Sequence, residues 1–104
     1  MNETEIRRLA RERLEVEGYP PLSAILIDKD LQDPIVFDEC CDECGRRFGY
    51  VVDNDRYWKW MNREMLIQDA MPGIKPEYRE ILKSHICGRC WKKMFGPPPA
   101  RRRA

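Results

Sequence analysis

The sequence predicts a small α+β domain that is held together by a bound metal ion. The chain has 104 residues, which is enough for one domain with a modest hydrophobic core. Helical spacing of apolar residues near the N-terminus gives way to short aliphatic runs that are typical of strands. Two Cys-x2-Cys pairs stand 42 residues apart, and such pairs are typical of metal sites in small domains.

The N-terminal third is predicted to form one helix and a β-hairpin. Residues 2–17 carry apolar side chains at helical spacing, and Asn2 is placed to cap the first turn. Gly18 suits the position just after a helix. Residues 22–28 and 35–37 are rich in aliphatic and β-branched side chains, so we expect two strands that pair with each other.

Helices dominate the rest of the predicted structure. A short strand over residues 48–52 follows the first cysteine pair, and a central helix is predicted over residues 56–71. A second helix is expected to begin at a proline and to cover residues 76–84. A short final helix is predicted over residues 91–95.

Charge and composition divide the chain into three predicted parts. Residues 1–38 hold the first helix and hairpin, residues 39–96 form the cysteine-containing core, and residues 97–104 form a disordered basic tail. The overall net charge is only +1, but residues 28–43 sum to −6 and residues 44–104 sum to +8. This polarity excludes a uniformly basic nucleic-acid binder and favours an oriented contact with a charged partner.

The cysteine pairs are the strongest signal in the sequence. Two residues between thiolates allow a tight turn to present both sulfurs to one ion, and two such turns complete a tetrahedron. The predicted ligands are Cys41, Cys44, Cys87 and Cys90, which together would hold one structural Zn²⁺ ion. This predicts a zinc-ribbon or treble-clef-like centre with a helical insertion between its two knuckles.

Other roles fit these cysteines less well than zinc binding. Disulfides fit poorly because the cysteine count is odd and we expect no secretory signal. A thioredoxin-like pair lacks its βαβ context, and rubredoxin-like iron suits the first knuckle better than the second. Cys40 is the cysteine that the predicted metal site does not use. His85 could be an alternative or supporting ligand, but a polar role at the end of a helix is favoured.

Basic residues flank both knuckles. We expect them to compensate the negative charge of the thiolates, a role that competes with any nucleic-acid contact. They are Arg46, Arg47, Arg89, Lys92 and Lys93.

Four short motifs lie in the second half of the chain. They are residues 67–72 (IQDAMP), 79–82 (REIL), 86–91 (ICGRCW) and 95–96 (FG). With these motifs, residues 41–96 resemble a group of small four-cysteine zinc-binding proteins that are widespread in bacteriophage genomes. His85 departs from the pattern, which has a glycine before the second knuckle. The resemblance implies a bound zinc ion and a phage or prophage origin, and it implies no catalytic residue.

The sequence argues against an enzyme. A catalytic zinc site normally keeps an open position, whereas four cysteines would fill all of them. The His/Cys-x-Glu segment of a zinc deaminase is missing before the first pair, and an HNH-type nuclease would need histidines that this chain lacks. We therefore expect a binding module with no small-molecule substrate.

Two binding functions are compatible with the sequence. The favoured one is a contact with a host or phage protein, such as a member of the transcription or nucleic-acid machinery. This contact would use the acidic residues 28–43 or Trp58 and Trp60. The alternative is nucleic-acid binding through the basic segment 81–104. Its cationic side chains near or beyond the second knuckle are Arg89, Lys92, Lys93, Arg101, Arg102 and Arg103.

The predicted location is the cytoplasm of an infected bacterial host. No apolar run is long enough for a transmembrane helix, and the first residues are acidic, unlike those of a secretory signal. Reduced cysteines fit such a compartment, and no membrane contact is expected.

Overall fold

The computed structural model describes residues 2–96 and confirms the α+β class. Three strands form one sheet, and five helices surround it. None of the helices within these residues is both long and apolar enough to cross a lipid bilayer. In chain order the elements are α1 (Glu3–Leu14), β1 (Leu22–Ile27), β2 (Pro34–Cys40), β3 (Arg47–Asp53), α2 (Asn54–Met61), α3 (Ile67–Ala70), α4 (Pro76–Ser84) and α5 (Gly88–Phe95).

Helix α1 begins as the sequence predicts and ends earlier. The Asn2 side chain accepts a hydrogen bond of 2.9 Å from the Glu5 backbone N–H, which satisfies one free donor of the first turn. The helix ends at Leu14 rather than at residue 17, because Glu15 already has extended backbone geometry. Ala10 and Leu14 are its buried residues, so a narrow stripe attaches α1 to the sheet.

The predicted pairing of β1 with β2 is wrong. The strand order is β1-β3-β2, with β3 parallel to β1 and antiparallel to β2. Every residue of β3 is buried, so this strand takes the central position and leaves the less buried β1 and β2 at the edges. The hairpin of the molecule is therefore β2–β3, and the sheet joins residues from both sides of position 38.

The two faces of β3 support two apolar layers. Tyr50 and its same-face neighbours pack against α3 and α4, and the Tyr50 hydroxyl donates a 2.7 Å hydrogen bond to the Tyr78 carbonyl. On the other face Val51 packs with Ala10 and Ile25 beneath α1. A Cβ atom at Gly49 would lie 2.7 Å from the Leu14 Cδ1 atom, so the missing side chain allows α1 to approach the sheet closely.

The predicted central helix over residues 56–71 is interrupted. Helix α2 ends at Met61, and α3 begins only at Ile67. Between them Arg63 adopts a left-handed backbone (φ 64°), and the Glu64 N–H donates to the Lys59 carbonyl at 2.7 Å. Apolar spacing continues through this segment, so periodicity alone did not reveal the turn.

The boundaries of the other helices are closer to expectation. Asp53 caps α2 by accepting a hydrogen bond from the Arg56 N–H, and α4 begins at Pro76 as predicted. Helix α5 begins at Gly88, three residues before the predicted start, because Cys87 already serves as its N-cap. The predicted basic tail over residues 97–104 lies outside the described residues.

A buried arginine connects α1 to the sheet. Only 2% of Arg47 is exposed, and its guanidinium donates to the Asp38 carboxylate at 2.6 Å. It also donates to the Pro20 carbonyl at 2.8 Å and to the Leu14 carbonyl at the end of α1. One side chain thereby supplies hydrogen-bond donors to groups from three segments, of which the Leu14 carbonyl bond is buried.

Replacing Arg47 with methionine should destabilise the fold. The change leaves Asp38 and two carbonyls without their donor, so we expect a loss of about 3 kcal/mol in the free energy of unfolding. Urea denaturation measures this loss. The matched control is Arg8→Met, which removes an exposed ion pair with Glu12 and should change stability by less than about 1 kcal/mol. Equal effects of the two substitutions would contradict the anchoring role of Arg47.

Candidate metal centre

The first cysteine pair lies on the turn that joins β2 to β3. Cys41 follows the last residue of β2, and the chain reverses through Gly45, which has a left-handed backbone (φ 76°). The Cys41 N–H donates to the Arg46 carbonyl, and the Gly45 N–H donates to the Cys41 carbonyl, each at 2.9 Å. These bonds close a tight knuckle that directs Cys41 and Cys44 to one point.

The second pair lies at the start of α5. Cys87 is the N-cap residue and Cys90 lies in the first turn, and both are buried. A Cβ atom at Gly88 would lie 2.7 Å from the Glu77 Cβ atom, so α5 approaches α4 here only because this residue has no side chain. The second pair therefore lies at the start of the final helix, which begins three residues before its predicted start.

Backbone hydrogen bonds join the two knuckles. The Asp42 N–H donates to the His85 carbonyl at 2.8 Å, and the Cys87 N–H donates to the Cys41 Sγ atom at 3.3 Å. His85 has a left-handed backbone (φ 64°) that ends α4 and turns the chain toward Cys87. The two turns are therefore positioned by the backbone as well as by their sulfurs.

The four sulfur atoms have the spacing of a tetrahedral metal site. All four lie within 4.8 Å of one another, and the Sγ atoms of Cys44 and Cys87 are 3.8 Å apart. Metal–sulfur bonds of about 2.3 Å in a tetrahedron place the sulfurs about 3.8 Å apart, which matches this distance. All four cysteines are free of disulfides, so the donor set fits one thiolate-bound metal ion.

Arg46 is the principal charged neighbour of the sulfurs. Its Nε atom lies 3.3 Å from the Cys44 Sγ atom, and its Nη2 atom lies 3.0 Å from the Cys87 Sγ atom. The bond from Arg46 lowers the pKa of Cys44 to about 6. The same contacts raise the pKa of Arg46, so this guanidinium stays charged beside the thiolates.

The pKa values of Cys41 and Cys90 shift in opposite directions. Burial opposes ionisation of Cys41, but hydrogen bonds from the backbone N–H groups of Cys87 and Cys44 outweigh it and lower the pKa of Cys41. Burial and the neighbouring sulfurs raise the pKa of Cys90 to about 12. A bound cation would lower the pKa of Cys90 and allow it to ionise.

Cys40 and His85 lie outside the sulfur cluster. Cys40 is the exposed last residue of β2, and burial of its sulfur and nearby carboxylates raise its pKa. The His85 Nδ1 atom lies 3.8 Å from a Glu39 carboxylate oxygen, and the side chain is largely exposed. Of the adjacent pair Cys40–Cys41, the sulfur cluster therefore includes Cys41, and His85 has the helix-end position that the sequence favours.

The flanking basic residues do not share one role. Arg46 contacts the sulfurs as expected, but the prediction for Arg47 is wrong, because alternation along β3 turns it away toward α1 and Pro20. The other three are exposed on α5, where the structure shows no contact with the sulfurs: Arg89, Lys92 and Lys93. Arg101, Arg102 and Arg103 lie outside the described residues.

One of the two predicted aromatic contact residues, Trp60, lines a groove that the sequence did not reveal. Trp58 is 53% exposed on α2, whereas Trp60 is half-buried and packs against the core. The groove has a volume of about 460 Å³ and lies between the α2–α3 connection and α4. Residues that line it include Trp60, Met65 and Leu66, with Arg63, Glu64 and Lys83 as charged members.

Comparison of the chain with known protein families, with curated proteins and with solved structures finds no match. The functional interpretation of the centre therefore depends on its own geometry and chemistry.

Metal binding should depend on Cys41 and not on Cys40. We expect Cys40→Ser to bind one Zn²⁺ ion per chain, and Cys41→Ser to lose most of its zinc affinity because one sulfur of the tetrahedron is missing. Competition with a chromophoric chelator measures the affinity, and elemental analysis gives the stoichiometry. A chelator should also lower the melting temperature of the unsubstituted protein. Full zinc content in Cys41→Ser would refute the four-cysteine assignment.

Arg46 should make metal binding less sensitive to acid. A metal must displace protons from its thiol ligands, and Arg46 holds the pKa of Cys44 near 6. In Arg46→Gln this pKa rises, so we expect a zinc affinity about tenfold lower, with a larger loss at pH 6 than at pH 8. Chelator competition at both pH values tests this, with Arg89→Gln as the control. An equal loss at both pH values would contradict the proton-competition mechanism.

Proposed function

We propose that this chain is a zinc-stabilised, non-enzymatic module that binds another protein. Four thiolates in a tetrahedron are the donor set that zinc favours in structural sites. Four sulfur ligands leave no position for a metal-bound water or substrate, so zinc would supply cross-linking and folding free energy only. Cys41 and Cys44 would hold the ion from the hairpin, and Cys87 and Cys90 from α5.

The groove beside Trp60 is the observation that carries the interaction proposal. Among the apolar side chains that line it, Leu66 is left 63% exposed. Trp58 and Met61 on α2 are about half exposed but do not line the groove. Apolar surface of this kind costs free energy in water and is recovered when a partner covers it. Tryptophan residues that line a groove, as Trp60 does, are also frequent anchors in protein interfaces.

The acidic segment over residues 28–43 supports this function less well. Asp28 accepts hydrogen bonds from the Lys29 and Gly73 backbone N–H groups, and Asp38 is paired with Arg47. Asp33 accepts a hydrogen bond from the Asn54 side chain. Much of the negative charge in this segment is therefore paired within the fold. We expect the partner to bind at the groove beside Trp60 instead.

The origin and partner class are part of the proposal. The motifs over residues 41–96 resemble phage zinc-binding proteins, which supports a phage-encoded protein acting in a bacterial cytoplasm. The left-handed backbone of His85 fits this resemblance, because glycine, the residue expected there, adopts that conformation most easily. A host or phage protein of the transcription or nucleic-acid machinery is the partner that we would seek first.

Affinity purification from bacterial cells tests the protein-binding function. We expect a partner that survives nuclease treatment and moderate salt. The double variant Met65→Ala/Leu66→Ala, which truncates two apolar residues that line the groove, should retain at least fivefold less of it. The control Leu9→Ala removes an exposed apolar side chain from α1 and should leave retention unchanged. Loss of every partner on nuclease treatment, or equal retention by the double variant, would refute the proposal.

A further inference from the structure

Helix α5 carries a basic surface whose side chains form no ion pair within residues 2–96. Arg89, Lys92 and Lys93 are all exposed, and this helix contains no acidic residue. Within residues 2–96, no carboxylate lies within ion-pair distance of any of the three, whereas Lys59 on α2 is paired with Asp55 at 3.0 Å. These cations are thus free to meet an anionic partner.

Two aromatic rings lie exposed on the same helix. Trp91 and Phe95 are one helical turn apart, and their ring centroids lie 4.5 Å from each other at an interplanar angle of 45°. Trp91 is 37% exposed and Phe95 is 62% exposed, so the pair offers ring surface to a ligand. Lys92 lies three residues before Phe95 on the same helix, which places a cation beside the aromatic pair.

The metal centre provides a fixed base for this surface. Cys87 and Cys90 belong to the first turn of α5, and Gly88 lies against Glu77 of α4. The orientation of the helix is therefore determined by the cysteine cluster rather than by a large apolar contact of its own. A fixed array of rings and cations binds a ligand with less loss of conformational entropy than a mobile one.

We propose that α5 binds single-stranded nucleic acid, with Trp91 and Phe95 stacking on bases and Arg89, Lys92 and Lys93 contacting phosphates. Aromatic rings beside cations match the alternation of bases and phosphates in a single strand. Bases in a duplex are already stacked, so the exposed rings would find no partner there. This activity goes beyond the proposed protein-binding function and uses a different surface.

Fluorescence anisotropy with the zinc-loaded full chain tests the proposal. The probes are a labelled twelve-residue oligothymidylate and a DNA duplex of the same length. We expect the single strand to bind more tightly, with an affinity that falls as salt rises. The double variant Lys92→Gln/Lys93→Gln should reduce the slope of log affinity against log salt by about 1.4, because each phosphate contact contributes about 0.7.

The aromatic pair should act through affinity and not through the salt slope. We expect Trp91→Ala/Phe95→Ala to weaken oligothymidylate binding at least tenfold without changing the salt slope. The single variant Trp91→Phe should bind more tightly than Trp91→Ala, because a ring remains to stack on a base. Zinc content and circular dichroism verify that each variant is folded. Lys75→Gln and Leu9→Ala are matched controls away from α5 and should bind like the unsubstituted chain.

Several results would overturn the proposal. One is failure of the oligothymidylate to bind at low salt, and another is equal or tighter binding of the duplex. A third is loss of binding in Arg101→Gln/Arg102→Gln/Arg103→Gln while the α5 variants bind normally, which would assign binding to the tail. A fourth is competition by polyglutamate with no effect of the aromatic variants, which would indicate an acidic protein ligand. None of these results affects a nuclease-resistant partner at the Trp60 groove.

Discussion

Four cysteine sulfurs held within 4.8 Å of one another are the constraint on which this domain depends. The sulfurs can approach so closely as thiolates only when positive charge offsets their repulsion. Arg46 supplies part of that charge, and a bound metal ion would supply the rest. The constraint joins the hairpin turn at Cys41 to helix α5 at Cys90, so a short chain with a small sheet gains a connection across half its length.

The adjacent residues Arg46 and Arg47 contact different parts of the domain. Arg46 ends the knuckle and faces the sulfurs, whereas Arg47 begins β3 and reaches the end of α1. Successive side chains of an extended chain point in opposite directions, so neighbouring residues can serve opposite sides of the sheet. The metal end of the domain and its N-terminal layer are therefore joined within a single dipeptide.

The sequence predicted best where local chemistry decides the structure. Cysteine spacing identified the four clustered sulfurs, Asn2 identified the first helix cap, and Pro76 identified the start of α4. The same reasoning missed the β1–β3 pairing, because strand order depends on which strand is most buried and not on sequence proximity. It also missed the break at Arg63, because no glycine marks the left-handed backbone there. The groove beside Trp60 depends on that break, so no periodic pattern could have shown it.

The position of β3 between its two partners has a consequence for the order of folding. Cys40 of β2 pairs with Arg47 across a short turn, whereas Leu22 of β1 pairs with the same residue from far earlier in the chain. Local pairs form quickly and distant parallel pairs form slowly, because a longer loop must close. During synthesis β1 leaves the ribosome before the strand that it joins, so we expect the β2–β3 hairpin to form first and the N-terminal layer to assemble on it afterwards.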